Sequence, residues 1–324
     1  MIRRSPTRRQ RLARTATVTV AVLVTAAIAT VLLGGGATPQ QLPTEHLSAS
    51  LAATKPATAT PTETALDPAQ FADGSCMALA PTHGNRHLTV FLDAGHGGPD
   101  PGGHGTTSAG TGIDERELTV PVVLDTAALL RADGYRVVVS RTTPGPVARL
   151  VASDVSGGVF TASGEHRDTA ARAICANLAH ASALVSVHFN IGASPTNAGA
   201  LTTYDRVRPF AARSLVLANL LQSDIVTALH GVHGWNVPDG GVVTDDLVGN
   251  ALTSAGAAYG HLLVLGPASP GYFATPSLMP GALTEPLFLT DPFEGTVAAS
   301  SQGQRVIAGA IASAVRTFLG PGRS

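Results

Sequence analysis

Leu88-Thr-Val-Phe-Leu-Asp93 runs directly into Ala94-Gly-His-Gly-Gly-Pro-Asp-Pro-Gly-Gly103. The first half reads as an apolar strand, and the second as a glycine-rich turn with His96 at its mouth. Loops at strand ends are where a rigid sheet presents reactive groups to a cleft. The glycines flanking His96 let the backbone take turns closed to other residues and leave room for a ligand. Ala183-Leu-Val-Ser-Val-His188 and Gly281-Ala-Leu-Thr-Glu285 repeat the layout. Each is a short apolar strand that ends in a metal-binding or acid/base side chain.

Around these segments, strand and helix signals alternate. Strands are expected at Leu88–Asp93, Tyr135–Ser140, Ala183–His188, Gly199–Tyr204, His261–Leu265 and Ala282–Glu285. Helices are expected at Asp114–Ala132, Asp168–Ala181, Pro209–Leu229 and Gln304–Phe318. Thr111-Gly-Ile-Asp114 gives the first helix a start signal, with Asp114 as N-cap, and Asp133-Gly134 a stop signal. Apolar strands separated by amphipathic helices predict an α/β fold: a single layered domain with a mixed, mostly parallel twisted sheet and helices on both faces. Internal repeats are absent. Thr142 to about Gly164 and Val237 to about Asn250 read as loop insertions, with further turns at Gly266–Pro276.

The N-terminus carries a different message. Arg3, Arg4, Arg8, Arg9, Arg11 and Arg14 precede the uncharged, apolar Thr15–Leu33 and the small residues Gly34–Ala37. This is the pattern of an export signal. The apolar run is also about long enough to span a bilayer, so residues 1–37 read as a cleaved signal or a retained inner-membrane anchor. Residues 38–70 are rich in Ala, Thr, Pro and Ser and read as a disordered tether. Residues 71–324 are left as one domain, expected to lie outside the cytoplasm and to be monomeric. Without the six arginines, 15 of the 21 basic residues face 22 acidic ones, a formal charge of −7. That balance argues against a nucleic-acid partner, which asks for a basic face. Cys76 and Cys175 lack zinc-ribbon spacing. Outside the cytoplasm they can pair, closing a loop worth about 4–5 kcal/mol of chain entropy; otherwise Cys175 is a buried thiol on a helix.

The chemistry centres on four residues. His96 sits in the glycine turn, Glu115 opens the first helix and His188 ends a buried strand. Two histidines and a carboxylate form a standard ligand set for catalytic zinc with an open fourth position. Each residue alone has a plainer explanation: a hydrogen-bonded core histidine at 188, or a carboxylate complementing the helix dipole at 115. Their joint appearance at matched strand ends favours a site. Glu285 precedes Pro286, which biases it towards an extended conformation. A carboxylate so placed can take a proton from water and pass it to a leaving amine. Gly95–Gly105 lacks the Gly-Lys-Ser/Thr and dinucleotide fingerprints, so a phosphate cradle is set aside.

At these residues the chain resembles the zinc-dependent N-acetylmuramoyl-L-alanine amidases (the amidase_3 family). Leu92-Asp-Ala-Gly-His-Gly-Gly-Pro-Asp-Pro-Gly102 matches that family's first motif, and Gly112-Ile-Asp-Glu-Arg-Glu-Leu118 its second. Arg172-Ala-Ile-Cys-Ala-Asn177 and Ser186-Val-His-Phe-Asn190 follow, then Pro280-Gly-Ala-Leu-Thr-Glu285 with its continuation to Glu294. The resemblance covers roughly Leu88 to Phe318. It implies zinc as cofactor, with His96, Glu115 and His188 as ligands and Glu285 as the catalytic residue. The implied reaction is cleavage of the amide between N-acetylmuramic acid and L-alanine of peptidoglycan. The chain departs from the family at Pro286-Leu287 and in a longer connection between Arg141 and Arg172. Two rivals stand beside this reading: a zinc peptidase cutting within the stem peptide, and a tethered wall-binding protein with a dead site. His104 reads as a solvated loop histidine, Trp235 and Tyr204 as packing residues, and Arg172 and Asn190 as packing or orienting groups. His230, His233 and His261 have no evident partner.

Overall fold

The computed structural model describes residues 63–247 and 259–320. Residues 1–37, read as export signal or anchor, and the tether up to residue 62 lie outside the described residues. Among the described residues, no helix is long and apolar enough to cross a membrane.

The chain first lays down β1 (Glu63–Ala65), β2 (Ser75–Leu79) and β3 (Thr89–Ala94). A small hairpin, β4 (His104–Thr106) with β5 (Gly112–Asp114), leads into α1 (Glu115–Ala132) and β6 (Arg136–Arg141). A second small hairpin, β7 (Val155–Ser156) with β8 (Val159–Phe160), precedes α2 (Ala162–Leu178) and β9 (Ala183–Val187). Then come β10 (Ala200–Tyr204), α3 (Ala211–His230), β11 (Asp239–Thr244), β12 (Gly281–Glu285), α4 (Pro292–Ala299) and α5 (Ser301–Leu319). Eight strands form one sheet in the order β1-β2-β6-β3-β9-β12-β10-β11. The central run β6-β3-β9-β12 is parallel throughout.

The central strands are apolar on both sides because both sides are covered. In β3, Val90, Leu92 and Ala94 join the cluster built by α1, α3 and α5, while Phe91 faces the cluster that includes α2. Val137 and Val139 against Val138, and Ala183, Val185 and Val187 against Leu184, repeat the alternation. Period-two alternation between two cores explains why these strands read as continuous apolar runs.

Several expectations are corrected. His261–Leu265 is a turn, not a strand: Leu265 and Gly266 both donate backbone hydrogen bonds to the Leu262 carbonyl. Leu263, Val264 and Leu265 are buried against α2 and the sheet face, so an apolar run bought by tertiary packing looks like a strand in one dimension. Part of the supposed insertion from Val237 is the edge strand β11, parallel to β10. Residues 63–70, placed in the tether, include β1, which pairs antiparallel with β2 through backbone groups that need no large side chains. Helix α2 starts six residues before Asp168, because the Thr161 hydroxyl accepts from Gly164 N–H and supplies the cap. Asp114 flanks α1, but its side chain makes no cap; it ends β5, and its carboxylate accepts from His104 Nδ1.

Cys76 of β2 and Cys175 of α2 form a disulfide, with Cα atoms 5.7 Å apart and both residues fully buried. Replacing both cysteines by alanine should lower unfolding free energy by about 2–5 kcal/mol in urea titrations. An unchanged midpoint would show that the bridge adds nothing to the core around it.

Candidate active site

β3, β9 and β12 are adjacent and parallel, so their C-terminal ends share one edge of the sheet. Ala94 pairs with Val187, and Thr284 pairs with the same Val187. His188 therefore follows β9 at the level where β3 turns into Gly95 and where β12 ends at Glu285. Gly95 lies flush against the His188 ring: a Cβ there would sit 2.3 Å from ring carbon Cε1. His96 itself has φ 61°, a left-handed conformation rare outside glycine.

Two buried arginines hold this strained turn. Arg172 of α2 donates to Asp93 Oδ1 at 2.6 Å, to the Ala94 carbonyl at 2.7 Å and to the His96 carbonyl at 2.6 Å. Its remaining charge partner, Asp168, also accepts from the Val147 and Ala148 amides and so ties the long connection to the site. Arg141, at the end of β6, donates to the carbonyls of Ala94 and Gly95.

Glu115 reaches the same point from the start of α1. Its Oε2 lies 3.0 Å from His96 Nε2, its Oε1 lies 3.0 Å from His188 Nδ1, and the two imidazole nitrogens are 3.0 Å apart. These separations approach the ~3.3 Å edge of a tetrahedron with bonds of about 2.0 Å, so the donor set fits a divalent cation. Backbone amides of Gly103 and Phe189 donate to the two Glu115 oxygens and fix the carboxylate. His96 Nδ1 meets Asp100 Oδ2 at 2.7 Å, which leaves Nε2 aimed at the cluster. Burial pushes the Glu115 carboxyl up, but the positive charge of His96 and hydrogen bonds from both histidines outweigh it and hold the group ionised. Burial opposes the charge on His96, yet Glu115 and Asp100 raise it to about 10.

Glu285 lines the same cleft, a space of about 760 Å³ that also exposes His96, Glu115, His188, Asn190 and Arg172. Burial, then the negative charge of Glu115, pushes its carboxyl up to about 8, with His96 pulling the other way. A carboxyl shifted well above its ordinary range thus shares a cleft with a cluster that could hold a cation.

The structure brings together all four residues singled out in the sequence. It adds Asp100, legible only as a carboxylate four residues beyond a turn histidine, and Arg141, which nothing in the sequence marked. Arg172 proves to orient the turn. His104 lies outside the cluster, exposed and paired with Asp114. Tyr204 and Trp235 pack against the core. His261 does have partners, Asp205 and Asp245.

A mixed, largely parallel α/β sheet carries, at one edge, a buried carboxylate in the same cleft as a cluster that could hold a metal ion. A profile of the N-acetylmuramoyl-L-alanine amidase family matches residues 90–317. The chain belongs to that family, whose enzymes cleave the amide between N-acetylmuramic acid and L-alanine of peptidoglycan. Among solved structures it is similar to the CwlD amidase of Clostridioides difficile in complex with the GerS lipoprotein. That match has a TM-score of 0.53 and 20% identity, and covers 72% of this chain and 98% of that one. Cwp6 from Clostridium difficile matches with a TM-score of 0.50 and 18% identity, over 74% of this chain and 30% of that one. Ami1 from Mycobacterium smegmatis matches with a TM-score of 0.49 and 20% identity, over 73% of this chain and 99% of that one. The first two share this fold. A comparison with curated proteins finds no match.

Two outcomes follow from the geometry. Gly95→Ala should displace the His188 ring and lower any metal content of the purified protein below that of wild type; an equal metal content would contradict the close approach. In metal-free protein the folded pKa of Glu285 lies above its unfolded value of 4.5. The folded state therefore binds more protons between pH 4.5 and about 8, and stability falls as pH rises through that window. Glu285→Gln should leave the melting temperature near wild type at pH 4.5 and raise it above wild type at pH 8. Equal melting temperatures at both pH values would exclude a raised carboxyl.

Proposed function

We propose that this amidase is zinc-dependent, with His96, Glu115 and His188 as the ligands and Glu285 as the residue that moves the proton. The observation that carries the reading is the convergence of two imidazole nitrogens and the two Glu115 oxygens, with 3.0 Å in each of three contacts, in the cleft that Glu285 also lines. Zinc in such a site supplies Lewis acidity that polarises a carbonyl and acidifies water.

The chain's own residues do the rest. Glu285 accepts the proton of the attacking water and delivers it to the nitrogen of the departing L-alanine. A carboxyl raised towards neutrality suits both halves of that task, since the best acid/base group has a pKa near the working pH. Asp100 keeps the His96 ring oriented, and the Gly103 and Phe189 amides keep Glu115 from rotating away. Arg172 and Arg141 hold the turn so that the ligands do not have to be ordered when substrate binds.

The peptidoglycan substrate supports work outside the cytoplasm, and the arginine-led apolar segment of residues 1–37 supports export, by a cleaved signal or a retained membrane anchor. The tether that follows would let the catalytic domain, acting as a monomer, reach peptidoglycan. An intact ligand set argues against a wall-binding protein with a dead site.

Glu285→Gln should keep its zinc and lose about 10²–10⁴ in turnover. Mass spectrometry of digested peptidoglycan should show intact stem peptides beginning with L-alanine. Fragments cut within the stem would identify a peptidase instead, and wild-type turnover in the variant would remove Glu285 from the reaction.

A further inference from the structure

A second group of side chains repeats the signature of the first. Asp205 follows β10, Asp245 follows β11, and His261 comes from the segment before β12. Their ligating atoms all lie within 4.8 Å of one another. His261 Nδ1 stands 3.1 Å from Asp205 Oδ2, and 3.1 and 3.2 Å from the two oxygens of Asp245. One ring nitrogen carries at most one proton, so it can satisfy at most one of three oxygens. Asp205 Oδ2 in fact accepts no hydrogen bond, although the residue is 2% exposed. Asp245 is fully buried.

The other contacts sharpen the point. Asp205 Oδ1 is engaged by the amides of Val207 and Arg208, which turns Oδ2 towards His261. Asp245 Oδ2 is fixed by the Leu262 amide. The neighbouring cation, Arg208, spends its hydrogen bonds on the carbonyls of Leu265 and Gly266 and on Ser277. Arg206 pairs with Asp246 instead. Among the described residues, two buried carboxylates therefore converge with an imidazole on one point while no guanidinium hydrogen-bonds to either of them, an arrangement that is costly unless a cation fills it.

We propose that Asp205, Asp245 and His261 form a second divalent cation site of zinc-class chemistry, separate from the His96, Glu115 and His188 cluster. One nitrogen and two carboxylate oxygens are a ligand set that zinc accepts, with a position left for solvent or a substrate oxygen. His261 and Asp246 line the same cleft as His96 and Glu285, so the ion would sit on the cleft wall. It would fasten the ends of β10 and β11 to the segment that leads into β12. The competing arrangement is an imidazolium clamped between two carboxylates with no ion.

The full chain is dialysed to equilibrium against zinc chloride, and bound zinc per chain is counted. Wild type should hold two ions, His188→Ala one, His261→Ala one, and the double variant none. Melting of His188→Ala protein should rise on addition of zinc, and that rise should vanish when His261→Ala is added. A wild-type count of one, retained in His261→Ala and lost in His188→Ala, would overturn this site and leave the first intact. A count of one lost in His261→Ala and retained in His188→Ala would instead sink the ligand assignment of the first. Two ions in both wild type and His261→Ala would also overturn the proposal. The near-isosteric Asp245→Asn repeats the count if His261→Ala does not fold, and an undiminished count in that variant decides against the site.

Discussion

Everything chemical in this protein depends on three neighbouring parallel strands ending together. Because β3, β9 and β12 run the same way in adjacent positions, the residues that follow them are delivered to one edge, about 4.8 Å from strand to strand. His188 and Glu285 become neighbours through pairing alone. A slip of one residue in either ladder would turn those side chains to the opposite face. The apolar alternation of Val185 and Leu184, or Ala282 and Leu283, between two different cores makes such a slip costly.

Pairing brings the strand ends together, but it does not shape the turn that carries His96. That turn holds a non-glycine residue in a left-handed conformation, a state that persists only where its surroundings over-determine it. Here the surroundings are the guanidinium groups of Arg172 and Arg141, which take up successive carbonyls from Ala94 to His96. Asp93 and Asp168 neutralise Arg172 in the interior. The result is a rigid cradle under a reactive surface. A preorganised donor set of this kind avoids the ordering cost that a flexible loop would incur on binding.

Two clusters share the same internal logic, and both contribute a histidine to one cleft. In each, buried carboxylate oxygens and imidazole nitrogens crowd closer than their protons can satisfy, and in each the carboxylates are steadied by backbone amides. Clusters of this type raise the electrostatic cost of the folded chain unless something cationic relieves it. The cost is localised where strands of the sheet terminate, which is also where the chain can tolerate irregular backbone.

Strands buried on both faces were legible within about a residue, because continuous apolar runs at Thr89–Ala94 and Ala183–Val187 have few other uses. The four residues that meet in the cleft could be picked out as well, His96, His188 and Glu285 because they follow or end apolar runs and Glu115 because it opens the first helix. What escaped one-dimensional reading had its cause elsewhere in space. The edge strands β1 and β11 are held by backbone pairing that side-chain pattern does not report, and Leu262–Leu265 is apolar because it packs on other elements, not because it lies in the sheet. The early start of α2 rests on a single hydroxyl at Thr161. Asp205, Asp245 and His261 are unremarked residues of three separate segments, and only the folding of β10 beside β11 makes them a group. By itself the sequence determined the layered α/β class and which side chains end the central strands, because burial periodicity and residue chemistry are local properties. The tertiary structure decided which of those side chains meet and what holds them, because strand order, parallel register and the buried arginine contacts join residues from 46 to 92 positions apart.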